Sequence, residues 1–433
     1  MQKRSSFSSK GSKRLFDREF WRNARQELWQ PGQANIPSLD GLRGFASCIV
    51  VFYHCAIFMG YYEINAQGAL KTSWVVSLTN GFWTGIDIFF VLSGFLIGRI
   101  LIRDLSKEGR LHYIPFFVRR SFRIFPAYYL VISISLFVIA PLNLRYFDFM
   151  YLTSDWNVLL KGAWTNYLYV VNYFQPGTEP SILSWGWSLA VEEHFYLLLP
   201  PLLYCLFKSR LPWVHLTGLS AFIALPFIGR FAQYILNPDL NILDGFYYLS
   251  HNRFDEIFVG VLIAYFYVMH FEQLKAFSHR AGGAVLGGLG LIGAGSVWIF
   301  GGLNGDGIFI VVFQFLLMAM STGLIVLNCL FLKNGLTAFF AHSAWYPLAR
   351  VSYGTYLVHP FILFGLMETY RSYITTQPFE LWEIIPFYLA VMLLSSLLAA
   401  LMFILLEAPM LRLGVNISRK YRQAARPAPS EAG

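Results

Sequence analysis

A succession of apolar runs, each close to twenty residues long and divided by short polar segments, constrains this chain more than any other feature. A helix needs about 20 mostly apolar residues to cross a bilayer. Ten runs meet that length, at 42–61, 80–99, 124–143, 186–206, 212–230, 254–270, 282–301, 308–331, 352–369 and 384–406. They predict an all-α, polytopic integral membrane protein with about ten transmembrane helices. Composition agrees, with 56% apolar and only 13% charged residues, where a soluble chain carries about a quarter charged. A semi-apolar piece at 164–174 is too short to span and predicts an interfacial or re-entrant segment.

The net charge of +9 admits nucleic acid or an anionic surface as partners when taken alone. Placement decides between them. With the N-terminus inside and ten crossings, only Lys71, Arg145, Lys161, Arg230, Arg253 and Arg371 of the 33 Lys and Arg fall on outer segments or span ends. That is the positive-inside bias. It predicts cytoplasmic N- and C-termini, a lipid bilayer as partner and no nucleic acid.

Three regions follow. Residues 1–38 form a basic cytoplasmic segment, with a short interfacial helix near Leu15 to Trp29. Residues 39–409 form the transmembrane domain, and 410–433 a basic, partly disordered tail. No signal peptide is visible, and the first apolar helix is expected to direct insertion. The Gly-rich stretch 281–295 suits close helix packing. Cys48, Cys55, Cys205 and Cys329 lie in or beside apolar runs without metal spacing. They predict small buried side chains, and no metal is expected.

Ionisable residues inside spans face a bundle interior or a watery cavity, so they nominate the site. "DGLRGFASCIVVFYHC" places Arg43 near the inner end of the first span and His54 eleven residues deeper, roughly 16 Å along a helix. Histidine suits proton transfer near neutrality; the plainer reading is a helix–helix hydrogen bond. "GIDIFFVLSGFLIGR" carries Asp87 at a similar depth, where a carboxylate could orient the His54 ring. Arg119, Arg120 and Arg123 in "YIPFFVRRSFRIFPAYY" stand at the cytoplasmic mouth of the third span. With Arg43 they could hold a phosphorylated donor such as coenzyme A, or simply anchor the span. "SWGWSLAVEEHFYLLLP" supplies Trp187, Glu192, Glu193 and His194, and "HNRFDEIFVG" supplies Arg253, Asp255 and Glu256. These could contact a polar acceptor or form an ion-pair network between helices. His359 in "VSYGTYLVHPFI" and Glu407 in "LLEAPM" complete the set, and both could be structural.

In that order the motifs resemble the membrane-bound acyltransferase 3 family from Ser38 to about Pro409. Arg43 and His54 match the family's first-helix pair, and Asp87 precedes "FFVLSGFLI". "RRSFRIFP", "WSLAVEEHFYLLLP", "RFDEIFVG" and "VSYGTYLVHP" follow. The resemblance implies transfer of an acyl group, most often acetyl, from acyl-coenzyme A to a hydroxyl of a cell-envelope glycan or a small molecule. It implies His54 as catalytic histidine, Arg43 beside the donor, Glu192 as the important acid of its motif, and a bacterial inner membrane. His194 stands where many relatives carry glutamine. A proton-coupled transporter of a polar solute or glycan precursor is the rival class; no inverted repeat in the sequence supports it.

Overall fold

A computed structural model describes residues 18–30, 35–58, 79–142, 155–174, 181–237, 240, 242–303, 307–373 and 381–424. Lys71 and Arg145, counted above among the outer charges, lie outside them.

The described chain is helical throughout. An amphipathic helix α1 (Arg18–Trp29) precedes α2 (Pro37–Phe58), α3 (Gly85–Glu108) and α4 (Tyr113–Ile134). Two short helices, α5 (Trp156–Tyr167) and α6 (Val171–Phe174), lead to α7 (Trp187–Phe207) and α8 (Pro212–Leu236). Then come α9 (Phe254–Met269), α10 (Phe271–Gly283), α11 (Leu289–Phe300) and α12 (Gln314–Phe331). The last four are α13 (Gly335–Phe340), α14 (Trp345–Tyr373), α15 (Leu381–Met402) and α16 (Ala408–Ala424).

Local chemistry sets several boundaries. Pro212 opens α8 at its first position, where the missing N–H costs nothing. Gly109 closes α3 with φ +63°, the left-handed geometry that lacks a penalty only for glycine. The tight contact is between α3 and α9. A Cβ on Gly94 would overlap the Ile257 carbonyl, and one on Gly260 would overlap that of Val91. The two backbones therefore touch, as small residues permit inside membranes.

Eight helical stretches among the described residues are long and apolar enough to cross a membrane. They coincide with eight of the ten expected spans. The expected run at 254–270 forms α9, which at 16 residues falls short of a bilayer. The run at 352–369 lies inside α14, where Arg350, His359 and a series of hydroxyl side chains lower the apolar character. Both helices pack inside the bundle: α9 against α3, α14 against α2 and α15. By contrast α8, α11 and α15 present large apolar side chains outward, including Leu225, Ile292 and Leu393, as lipid-facing helices do.

Segment 164–174 falls in α5, a loop and α6. Leu15 lies outside the described residues; of the short helix expected near Leu15 to Trp29, Arg18–Trp29 is helical as α1. Its Ala24 and Leu28 pack on Val351, Ala399 and Phe403, and its Glu27 pairs with Arg350 and Arg412. Of the tail expected at 410–433, the part to Ala424 is helical as α16 and lies along α4; the stretch after Arg426 expected to be disordered lies outside the described residues. Gly290 of the Gly-rich stretch packs against Ser321 and Ile325 of α12. All four cysteines are free.

Candidate active site

The central contact joins α2 to α14. Nδ1 of His54 lies 2.9 Å from Nε2 of His359, with the rings nearly parallel and 5.0 Å apart. His359 is fully buried, and its Nδ1 lies 2.9 Å from the Tyr356 carbonyl and 3.2 Å from that of Thr355. A carbonyl only accepts, so Nδ1 of His359 carries the proton.

The sequence explains why that carbonyl is available. Pro360 has no N–H, so the helix bond it would send back to Tyr356 is missing. His359 fills the gap with its own ring. A neutral His359 then offers a bare Nε2, which accepts from Nδ1–H of His54. The chain of bonds leaves the lone pair of His54 on Nε2. No hydrogen bond to that atom occurs among the described residues, and His54 is half-buried rather than sealed.

Asp87 does not orient His54. It accepts from Nη2 of Arg253, which also donates to Glu256 at 2.7 and 3.1 Å and to the Tyr247 carbonyl at 3.0 Å. Trp83, Phe90, Trp187, Tyr247 and Phe315 surround the guanidinium. A cation with no solvent exposure needs compensating acids, and that need claims Asp87. Asp255 is likewise taken, by Arg230, at 2.6 and 3.1 Å. Arg253, Asp255 and Glu256 thus belong to buried ion-pair networks tying α3, α8 and α9 together, with Trp187 packed on the Arg253 guanidinium.

A cavity of about 100 Å³ lies nearby. Arg43, Arg120 and Arg123 line it, with Glu192 as the carboxylate among its lining residues. Tyr196 donates to Glu192 at 2.9 Å and accepts from Ser93 at 3.0 Å, and the Arg120 guanidinium sits 5.4 Å from the Tyr196 ring centre. Tyr356 also lines the cavity, donating to the Trp185 carbonyl at 2.7 Å. Its backbone carbonyl is the one that holds His359, so this residue joins the arginine cavity to the histidine pair. His54 itself is not among the cavity's lining residues.

Arg119 stands apart, in a second groove that Arg120 and Arg123 share. Glu193 is not among the cavity's lining residues and is buried. His194 bonds to the Ser250 hydroxyl at 2.7 Å. Glutamine could make the same contact through its carbonyl or its NH₂. Glu407 is buried beside Gly354 of α14.

The family described as Acyltransferase domain, acyltransferase 3, matches residues 36–403. The chain belongs to this acyltransferase family. It is similar to the O-acetyltransferase OatA of Staphylococcus aureus, with 28% identity over 90% of this chain and 60% of the relative. It is also similar to the peptidoglycan O-acetyltransferase OatA of Listeria monocytogenes, with 31% identity over 59% of this chain and 38% of the relative. The chain therefore spans less than two thirds of the length of these relatives. No solved structure matches it. Within the acyltransferase region the match covers both histidines, the arginine cavity and Glu192; α1 and α16 lie outside it.

Proposed function

We propose that this chain moves an acyl group, acetyl in the simplest case, from acyl-coenzyme A to a hydroxyl of a cell-envelope glycan or another polar acceptor. The observation that carries the reading is the His54–His359 pair, which leaves Nε2 of His54 as a free base within a membrane helix. Family membership supplies the reaction class. The O-acetyltransferase names of the relatives support acetyl as the group and a cell-wall polymer as the acceptor.

His54 takes the proton of the acceptor hydroxyl on Nε2 as the oxygen attacks the thioester carbon. The C–S bond breaks, coenzyme A leaves as thiolate, and His54 returns the proton to sulfur. His359 accepts from Nδ1–H of His54 throughout and stabilises the transient imidazolium, as an orienting group does in catalytic triads. Arg43, Arg120 and Arg123 hold donor phosphates through forked, charge-assisted bonds. Glu192 and Tyr196 fix the shape of the cavity between them.

This reading places ten crossings in a bacterial inner membrane, with α9 and α14 completing the set and both termini in the cytoplasm. The donor then arrives from the basic face and the acceptor from the other.

The test is transfer of label. Purified full chain in detergent receives acetyl-coenzyme A carrying a radioactive acetyl group, together with a glycan extract from cell envelopes. Label on glycan hydroxyls supports acyl transfer. Folded protein that leaves the acetyl group on coenzyme A, across several acyl lengths and acceptors, points instead to a transporter.

A further inference from the structure

The second groove lies where the inner end of α3, the start of α4 and the helix α16 converge. Its volume is about 320 Å³, and Arg103, Arg119, Arg120, Arg123 and Arg422 line it. Asp104 is the one carboxylate among those lining residues. Arg119 and Arg422 stand close enough for their charges to repel. Cations gathered in a concave site focus a positive field that attracts anions.

Arg422 singles out the ligand chemistry. Its Nη2 donates to Asp104 at 3.1 Å. Its Nε is buried, with no hydrogen-bond partner among the described residues. A buried donor without an acceptor is costly, and a phosphate oxygen matches the planar fork of a guanidinium. Ile100, Phe116, Leu411 and Val415 give the groove an apolar wall beside these charges. Arg120 and Arg123 line both this groove and the inner cavity, so one elongated ligand can occupy both.

We propose that the groove binds the phosphorylated nucleotide end of the acyl donor, and that α16 forms one wall of this site through Arg422. The inference rests on the donor reading above and extends it in two respects. Arg103 and Arg422 lie outside the Arg119–Arg123 motif, and α16 lies beyond the matched family region. The terminal phosphate meets Arg103, Arg119 and Arg422, while the base rests on the apolar wall. Asp104 holds Arg422 over the groove and competes with phosphate for it. An anionic lipid headgroup carries the same phosphate chemistry, and the experiment separates the two sources.

The probe is adenosine 3′,5′-bisphosphate, measured by calorimetry on lipid-depleted full chain in nonionic detergent. Wild type binds it. Arg422→Ala weakens binding about tenfold or more, the usual effect of losing a hydrogen bond to a charged group, with melting temperature preserved. Asp104→Asn tightens binding, an effect that damage to the fold cannot mimic. Added phosphatidylglycerol changes the wild-type affinity by less than about twofold, as the screening of a surface charge would. Unchanged affinity in Arg422→Ala overturns the proposal, as does weaker binding in Asp104→Asn. Full displacement of the probe by phosphatidylglycerol assigns the groove to a headgroup and also overturns it. Arg422-dependent binding by a chain that transfers no acyl group would leave a nucleotide site and remove the transfer reading. Acyl transfer whose donor KM ignores Arg422 would remove this inference alone.

Discussion

Nδ1 of His54 and Nε2 of His359 lie 2.9 Å apart, although the two residues are 305 positions apart in the chain. The bond fixes which nitrogen of His54 holds a lone pair. In the proposed transfer, His359 is a positioning residue that acts on the reaction only through its neighbour.

That role predicts a graded series. His359→Leu removes the acceptor for Nδ1–H and lowers kcat about 10- to 100-fold, the range seen when an orienting partner is lost, with donor KM little changed. His359→Gln, whose side-chain carbonyl can accept the same proton, recovers part of the loss. Nitrogen-15 NMR of histidine-labelled protein reads the tautomer directly: wild type holds His54 protonated on Nδ1, and His359→Leu mixes the two forms. Equal damage from Leu and Gln, with the tautomer unchanged, would show that His359 only fills space.

How far this pair was legible in the sequence depends on what helical rise encodes. Spacing from Arg43 gives His54 a depth that matches it to Asp87, whereas the apolar run 352–369 puts His359 nearer the cytoplasmic side. The helix holding His359 begins earlier, at Trp345, and facing direction around a helix is not supplied by one sequence. One local signal was available and unused: Pro360 directly follows His359, so a carbonyl one turn back must be open. The arginine cavity was easier, because Arg120 and Arg123 need an aqueous outlet wherever their helix sits. Arg422 was missed because the tail reads as polar and basic, whereas its apolar residues, including Leu411 and Val415, form a stripe that packs at α4 only once the helix exists. The count of crossings was blurred by α9, which is apolar but only 16 residues long, and by α14, which is long but carries polar side chains.

Asp87 and Arg253 predict a stability effect separate from catalysis. Removing one partner of a buried ion pair leaves an uncompensated charge and costs roughly 3–5 kcal/mol. Arg253→Met should therefore lower the yield and melting temperature of detergent-solubilised protein sharply. Asp87→Asn keeps a hydrogen-bond acceptor for Arg253 and should cost less. The fraction of Asp87→Asn that folds should turn over within a fewfold of wild type. A fully folded Asp87→Asn with kcat lowered a thousandfold would return Asp87 to the chemistry.

Gly260 predicts a packing failure. Its missing Cβ is what lets the Val91 carbonyl of α3 approach. Gly260→Val should push the two helices apart and destabilise by about 1–3 kcal/mol or more, as overpacking does. Thermal unfolding followed by size-exclusion chromatography checks it. An unshifted profile would mean that α3 and α9 are not in backbone contact.

Glu27 predicts the opposite scale. Its pairs with Arg350 and Arg412, each at 3.3 Å, are partly exposed, and such pairs contribute 0–1 kcal/mol. Glu27→Gln should leave melting almost unchanged while making α1 more sensitive to limited proteolysis. A large fall in melting temperature would give α1 a greater structural part than its few buried apolar residues suggest.

The most direct measurement is single-turnover acetyl transfer by wild type and His54→Ala, both purified as full chain and matched for melting temperature. The acetyl group of acetyl-coenzyme A is labelled, and its arrival on glycan is timed. With Nε2 of His54 as general base, its removal slows the chemical step 10²- to 10⁴-fold, the usual contribution of such a group, while donor binding persists. Transfer by His54→Ala at close to the wild-type rate would contradict the account.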